Sequence, residues 1–316
     1  MKVCSQQETI DALPFGRLIE AIDAGFRGEV VAPLRHHHQM VNEGRSDDTL
    51  LLMPAWQNEG WGGIKLVNVH PGNGALGLAA ISSTYVLFDR RTGRHCLILD
   101  GGELTARRTA AASALAAKRL ARPDSGKLLV VGAGRVASNI AHAYRAVLSI
   151  GTVEVWNRTH AGAEALAAKL ESEGVSACAV DDLEGAVAGA DIVSCATLAT
   201  EPFLKGEWLR EGQHVDLIGS FTPAMREVDD TAIRRSRIFI DTEHAMIESG
   251  EIRSPLERGV LAEDAIAGTL VDLCRTDAYP RRSESEITLF KGVGTAIEDL
   301  SAAILAYETT GADAGV

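Results

Sequence analysis

Residues 128–160, LLVVGAGRVASNIAHAYRAVLSIGTVEVWNRTH, read as a strand, a glycine turn, a helix and a second strand. Leu128 to Val131 form an unbroken apolar run, as a strand covered on both faces requires. Gly132 and Gly134 allow a tight turn and close approach to a pyrophosphate, and Ala137 stands where a third glycine would let helix pack on strand. Arg135 and Val136 complete the turn, and the free amides opening the next helix would face the phosphates. The expected cofactor is therefore a dinucleotide.

The end of the second strand selects between the two nicotinamide dinucleotides. In the usual pattern a carboxylate about 20 residues beyond the glycines accepts from the ribose 2′-hydroxyl. Here Val153 to Trp156 is followed by Asn157, Arg158 and Thr159, with no carboxylate. A guanidinium beside amide and hydroxyl donors can hold a 2′-phosphate through charge-assisted bonds. NADPH is the expected cofactor, with NADH possible at lower efficiency; the other reading of Arg158 is a solvated surface charge.

The rest of the chain alternates in a way that extends this unit. After the Asn-Arg-Thr segment come a helix over 161–173, a strand at SACAV, a helix over 182–189, strands at DIVSCAT and HVDLIGS, a helix over 229–235 and a strand at RIFIDT. Alternating strands and helices imply an α/β fold, a Rossmann-like doubly wound parallel sheet. Ligands in such sheets sit beyond the carboxyl ends of the strands, which places Thr197, Ile218, Gly219 and Ser220 at the cofactor cleft. For Thr197 a helix-cap or turn role is an equal alternative. Upstream, residues 8–27 show helical periodicity, and GEVVAPLRHHHQMV, TLLLMPAW, WGGIKLVNVHP, AISSTYVLFD and HCLILD read as short strands, so the first domain is α+β. Thr105 to Leu120 is an alanine-rich helix, closed by the linker Arg122-Pro123-Asp124-Ser125-Gly126. ITLFKGVGTAIEDLSAAILAYE reads as an amphipathic helix entered through a glycine turn and returning to the first domain.

Bulk properties narrow the partners. The 316 residues suffice for two domains, and the formal net charge of −12, with no basic block, makes nucleic acid an unsuitable partner. The N-terminal stretch has acidic residues and no long apolar core, and no run approaches about 18 apolar residues, so a cytoplasmic protein without membrane contact is expected. The cysteines, Cys4, Cys96, Cys178, Cys195 and Cys274, are scattered and read as buried thiols. Successive histidines on a strand point to alternate faces, so His36, His37 and His38 are not expected to hold a metal.

Five motifs in order carry a wider likeness: Gly44-Arg45-Ser46, Gly63-Ile64-Lys65, Leu104-Thr105-Ala106-Arg107-Arg108-Thr109-Ala110-Ala111, the GAGRVA turn, and Ile287-Thr288-Leu289-Phe290-Lys291-Gly292-Val293-Gly294. Together they resemble the ornithine cyclodeaminase and mu-crystallin family over almost the whole chain. The resemblance implies a Rossmann domain over 122–294, a discontinuous α+β substrate and dimerisation domain over 1–121 with 295–316, a homodimer, and chemistry on imines of amino acids. It also implies that Arg45 and Lys65 hold the substrate carboxylate, with Val293 beside them, and that Thr84 and Arg108 lie at the cofactor. The residues agree in part: a planar carboxylate suits an arginine fork with lysine as a second point charge. Lys65 moreover lies inside an apolar strand, where a charge is costly unless paired.

The chain departs from the family pattern at Phe221, where cyclodeaminases carry an aspartate that manages proton and amine chemistry. Loss of that group, with the phosphate signature after the second strand, resembles the ketimine reductase branch, and FTPAMRE looks most like the turn of bacterial Δ1-pyrroline-2-carboxylate reductases. The expected reaction is NADPH-dependent reduction of Δ1-pyrroline-2-carboxylate to L-proline and of Δ1-piperideine-2-carboxylate to L-pipecolate. The ring nitrogen's own basicity can suffice for its protonation, with Lys65 or a bound water as the donor of last resort, and Phe221 would be an apolar wall or a packing residue. Ornithine cyclodeaminase, an NAD-dependent alanine dehydrogenase-like enzyme and a non-catalytic NADPH-binding protein are the alternatives.

Overall fold

The computed structural model describes residues 1–311. The chain forms two compact units, Met1–Arg108 with the segment from Thr295, and Thr109–Gly294. The division falls inside the helix Gly101–Leu120, upstream of the linker at which the sequence reading divides the chain.

In the first unit the strands are β1 (Lys2–Val3), β2 (Val30–Val31), β3 (His36–Met40), β4 (Asp48–Gln57), β5 (Trp61–Val69), β6 (Ile81–Asp89) and β7 (His95–Asp100). They pair in the order β1-β7-β6-β5-β4-β2, with β3 also on β4. Only β1 and β7 run parallel. Alternation along the strands buries Met53, Ala55, Lys65, Val67, Tyr85, Leu87, Leu97 and Leu99. Against the sheet lies the C-terminal helix Ala296–Thr310. That helix is not amphipathic, as its sequence suggested: Glu298, Asp299, Leu300, Ser301, Ala302 and Ala303 are consecutively buried. The expected helix over 8–27 is two, Gln6–Ala12 and Phe15–Arg27, because Pro14 has no amide to continue the first and serves as N-cap of the second.

The second unit holds β8 (Lys127–Val131), β9 (Thr152–Trp156), β10 (Ala177–Ala179), β11 (Ile192–Cys195), β12 (His214–Leu217), β13 (Ser236–Ile240), β14 (Ile266–Thr269) and β15 (Ile287–Lys291). All pairs are parallel, in the order β10-β9-β8-β11-β12-β15-β13-β14. β11, β12 and β15 are buried at every residue, which fits strands covered on both faces. The segment Ile287–Lys291, read with the helix that follows, is instead a central strand between β12 and β15's other neighbour, β13. The five residues Ile-Thr-Leu-Phe-Lys are too few for periodicity to separate strand from buried helix, and the β-branched and aromatic ones favour the strand. The chain leaves β8 toward β9 on one side, while β11 lies on the other, so a topological switch point opens beyond their carboxyl ends. Among the described residues no helix is long and apolar enough to cross a membrane.

Candidate active site

In the second unit the glycine turn follows β8 directly. Gly132 has φ 114°, and a Cβ there would lie 2.6 Å from the Ala196 carbonyl oxygen, so a side chain is excluded by both conformation and space. Gly134 is the reverse case: a Cβ would meet nothing within 4 Å, and its amide has no acceptor among the described residues. Arg135 and Val136 lead into the helix Ala137–Arg145, and Ser138 and Asn139 both donate side-chain bonds to the Arg135 carbonyl, at 2.9 Å each, which fixes the turn. An open glycine edge with the unclaimed Gly134 amide at a helix start fits a pyrophosphate.

At the end of β9, Asn157 Nδ2 donates to the Thr159 carbonyl (3.0 Å) and to Thr159 Oγ1 (2.9 Å). The Thr159 hydroxyl proton stays available for an incoming acceptor. Arg158 is exposed and has no ion-pair partner among the described residues. A cation and a hydroxyl thus stand at the position where a ribose-binding carboxylate is absent.

The loops after β11 and β12 meet. The Thr197 hydroxyl donates to Glu227 Oε1 at 2.8 Å, so this side chain anchors a turn and what remains for a ligand is its methyl group and carbonyl. Ile218 is half-buried, with its amide on the Cys195 carbonyl (2.8 Å). Gly219 and Ser220 are buried, and the Ser220 hydroxyl is spent on the Met225 carbonyl (2.5 Å) and Ser249 (2.8 Å). Phe221 follows with 44% of its surface exposed. Neither nearby acid substitutes for a carboxylate there. Asp216 is fully buried and accepts from Tyr144 (2.9 Å) and Ser194 (2.5 Å), and Asp229 caps the helix Asp230–Arg235 while also accepting from Gly206 N. Val293 packs into the core of this unit with 8% exposure, so its side chain supports the loop rather than forming a surface.

In the first unit a buried charge network surrounds Lys65. Cross-strand pairing sets Lys65 opposite Tyr85 and Met53, and the C-terminal helix supplies its counter-ion: Lys65 Nζ lies 2.9 and 2.8 Å from the two Asp299 oxygens. Arg108 Nε donates to the same carboxylate (2.9 Å) and Nη1 to Glu298 (2.5 Å). Burial, then the Arg108 charge, lower the Lys65 ammonium to about 8, with Asp299 opposing them. Against the burial that would raise it, Lys65 and Arg108 hold the Asp299 carboxyl below its ordinary value.

Arg45 does not join this network. Its guanidinium forks onto Asp48 (3.1 and 2.9 Å) and reaches Asn42 (2.8 Å), and its side chain is 54% exposed. The other arginine whose charge reaches Lys65 is half-buried Arg35, one residue before β3. Thr84 is exposed on the opposite sheet face, between Leu66 and Asp100. Arg35 lies outside the motifs, and its signal in the sequence is an arginine entering a strand from an apolar stretch. Glu298 and Asp299 had one too, as adjacent acids in a helix otherwise rich in alanine and leucine.

The model of the ornithine cyclodeaminase/mu-crystallin family matches residues 2–313. The Δ1-pyrroline-2-carboxylate reductase of Paracoccus denitrificans is 43% identical over 282 residues, 86% of this chain and 89% of that protein. Among solved structures, the Thermococcus litoralis Δ1-pyrroline-2-carboxylate reductase in complex with NADH and L-proline superimposes with TM-score 0.91 at 31% identity, covering 98% and 97% of the two chains. An archaeal alanine dehydrogenase dimer with bound NAD gives TM-score 0.89 at 28% identity, covering 98% and 96%.

Proposed function

The chain belongs to the ornithine cyclodeaminase/mu-crystallin family, and from that premise we propose that it is an oxidoreductase acting on the C=N bond of cyclic imino acids, reducing Δ1-pyrroline-2-carboxylate to L-proline and Δ1-piperideine-2-carboxylate to L-pipecolate with NADPH. The observation that carries this reading is the buried Lys65–Asp299 pair with Arg108 and the charge of Arg35 beside it. Such a site attracts one small carboxylate and holds an exchangeable proton near neutral pH. The reductase likenesses at 43% and 31% identity support the choice of imine reduction.

The nicotinamide supplies hydride when bound; Gly132, Gly134 and Val136 would hold its pyrophosphate, and Arg158 with Thr159 a 2′-phosphate. The protein's own work is positional and acid–base. Arg35, in place of Arg45, and Lys65 fix the carboxylate, which aligns the adjacent C2 carbon. The Lys65 ammonium gives a proton to the imine nitrogen as the C=N electron pair moves onto it, and a value near 8 makes this transfer easier than from an ordinary lysine. Asp299 keeps Nζ in one place throughout. The commitment of Asp216 and Asp229 to internal bonds, with Phe221 where cyclodeaminases carry aspartate, supports reduction over ammonia elimination.

The test is NADPH absorbance decay with Δ1-pyrroline-2-carboxylate, beside NADH, beside L-ornithine with NAD⁺ for ammonia release, and beside L-alanine with NAD⁺. NADPH oxidation with L-proline as product is the expected result. Ammonia from ornithine, or alanine oxidation, without imine reduction overturns it. A homodimer in the cytoplasm completes the proposal. The second face of the first unit's sheet supports the dimer, since Leu52, Pro54, Ile64, Leu66 and Val86 are only half-buried there, and the alanine dehydrogenase likeness is a dimer. Free thiols at all five cysteines support the reducing compartment.

A further inference from the structure

We propose that Glu227 is a positioning residue for the dinucleotide, its carboxylate latching together the loops that follow β11 and β12 beside the glycine turn. The proposal rests on the dinucleotide reading given above. Glu227 has no exposed surface. Its Oε1 accepts from the Thr197 amide (2.9 Å) and the Thr197 hydroxyl (2.8 Å), and its Oε2 accepts from the Gly219 amide (2.9 Å). One side chain therefore satisfies three donors on two loops that both lie at carboxyl ends of parallel strands.

The loops are in contact where it binds them. A Cβ on Gly219 would lie 2.0 Å from the Thr197 carbonyl oxygen and 2.5 Å from Glu227 Oε1. Thr197 also packs toward the phosphate turn, since the same construction at Gly132 meets the Ala196 carbonyl oxygen at 2.6 Å and Thr197 Cγ2 at 3.6 Å. A displacement of the Glu227 carboxylate is thus passed through Thr197 to the turn that would carry the pyrophosphate.

Glu227 is itself held. Its amide donates to Glu251 Oε2 (2.7 Å), the Val228 amide to Glu251 Oε1 (3.1 Å), and its carbonyl accepts from Phe203 N (3.1 Å) and Leu204 N (3.0 Å). Buried Lys291, whose Nζ donates to the Leu217 carbonyl (2.9 Å), supplies the positive charge near Glu227 and Glu251. A carboxylate is required because all three groups facing it are donors. Glutamine would present its own N–H₂ to one of the loops and could keep only the other.

Binding of NADPH and NADH to the E227Q variant, followed by quenching of tryptophan fluorescence, is the test. The Kd is expected to rise about tenfold or more, with KM for the imino acid within about twofold of wild type. T197V, which removes one arm, is expected to weaken binding less, and the double variant to bind no worse than E227Q alone. E227Q with wild-type Kd, or equal losses for dinucleotide and imino acid, overturns the proposal. Should E227Q fail to fold, unchanged binding by T197V overturns it equally. If wild type binds neither dinucleotide, the functional reading falls and this proposal with it.

Discussion

Lys65 sits 2% exposed, and burial together with the Arg108 charge outweighs its Asp299 counter-ion, so its proton is held less tightly than that of a free lysine. If it donates to the imine, kcat falls as pH rises through about 8, where the donor empties. Lys65→Met should lower kcat by about 10²–10⁴-fold. Asp299→Asn removes the one group that opposes the lowering, so the alkaline limb should move to lower pH; a limb that stays in place removes Lys65 as the donor. Steady-state kinetics on two arginine variants separate the carboxylate ligands. Arg35→Ala is expected to raise KM for the imino acid by about 10-fold or more, through loss of a charge-assisted contact, while Arg45→Ala leaves it near wild type. The opposite ranking would restore Arg45 to the site.

Among the elements, β12 carries the most telling polar group. Asp216 accepts from Tyr144 in the helix Ala137–Arg145 and from Ser194 in β11, and burial nevertheless raises its carboxyl to about 6 against those bonds and that of Ser113. A folded-state value above the ordinary 3.8 means that its contribution to stability is full below about 3.8 and is lost as pH rises through about 6. The shift corresponds to at most about 3 kcal/mol. Asp216→Asn should flatten the stability profile over that window and be the more stable protein at pH 8 in urea unfolding; a less stable variant at every pH would mean that the charge itself is needed. In β15 the residues Ile287, Thr288 and Phe290 favour a strand that the parallel sheet buries on both faces, whereas the helix that follows carries Glu298 and Asp299 within its buried stretch.

At the scale of the whole molecule, individual side chains test cofactor choice and assembly. Arg158 stands exposed with no carboxylate at the end of β9, so Arg158→Glu should invert the preference, lowering kcat/KM for NADPH relative to NADH by about 100-fold. An unchanged ratio would leave Arg158 a solvated charge. Light scattering should give twice the chain mass, and Leu52→Glu with Val86→Glu, on the half-buried sheet face, should give the monomer.

The sequence alone determined the parallel α/β unit and the glycine turn, because strand runs, helix periods and glycine conformations are local properties written in consecutive residues. It also marked Lys65 as a charge in need of a partner and Phe221 as a missing carboxylate. Only the tertiary structure decided who the partners are. Asp299 lies 234 positions from Lys65, the arginines whose charges reach that ammonium are Arg108 and, less strongly, Arg35, and the motif residue Arg45 is tied to Asp48. Charge pairing acts through space, and which distant groups share a buried site is fixed by packing of sheet on helix, which no local pattern encodes.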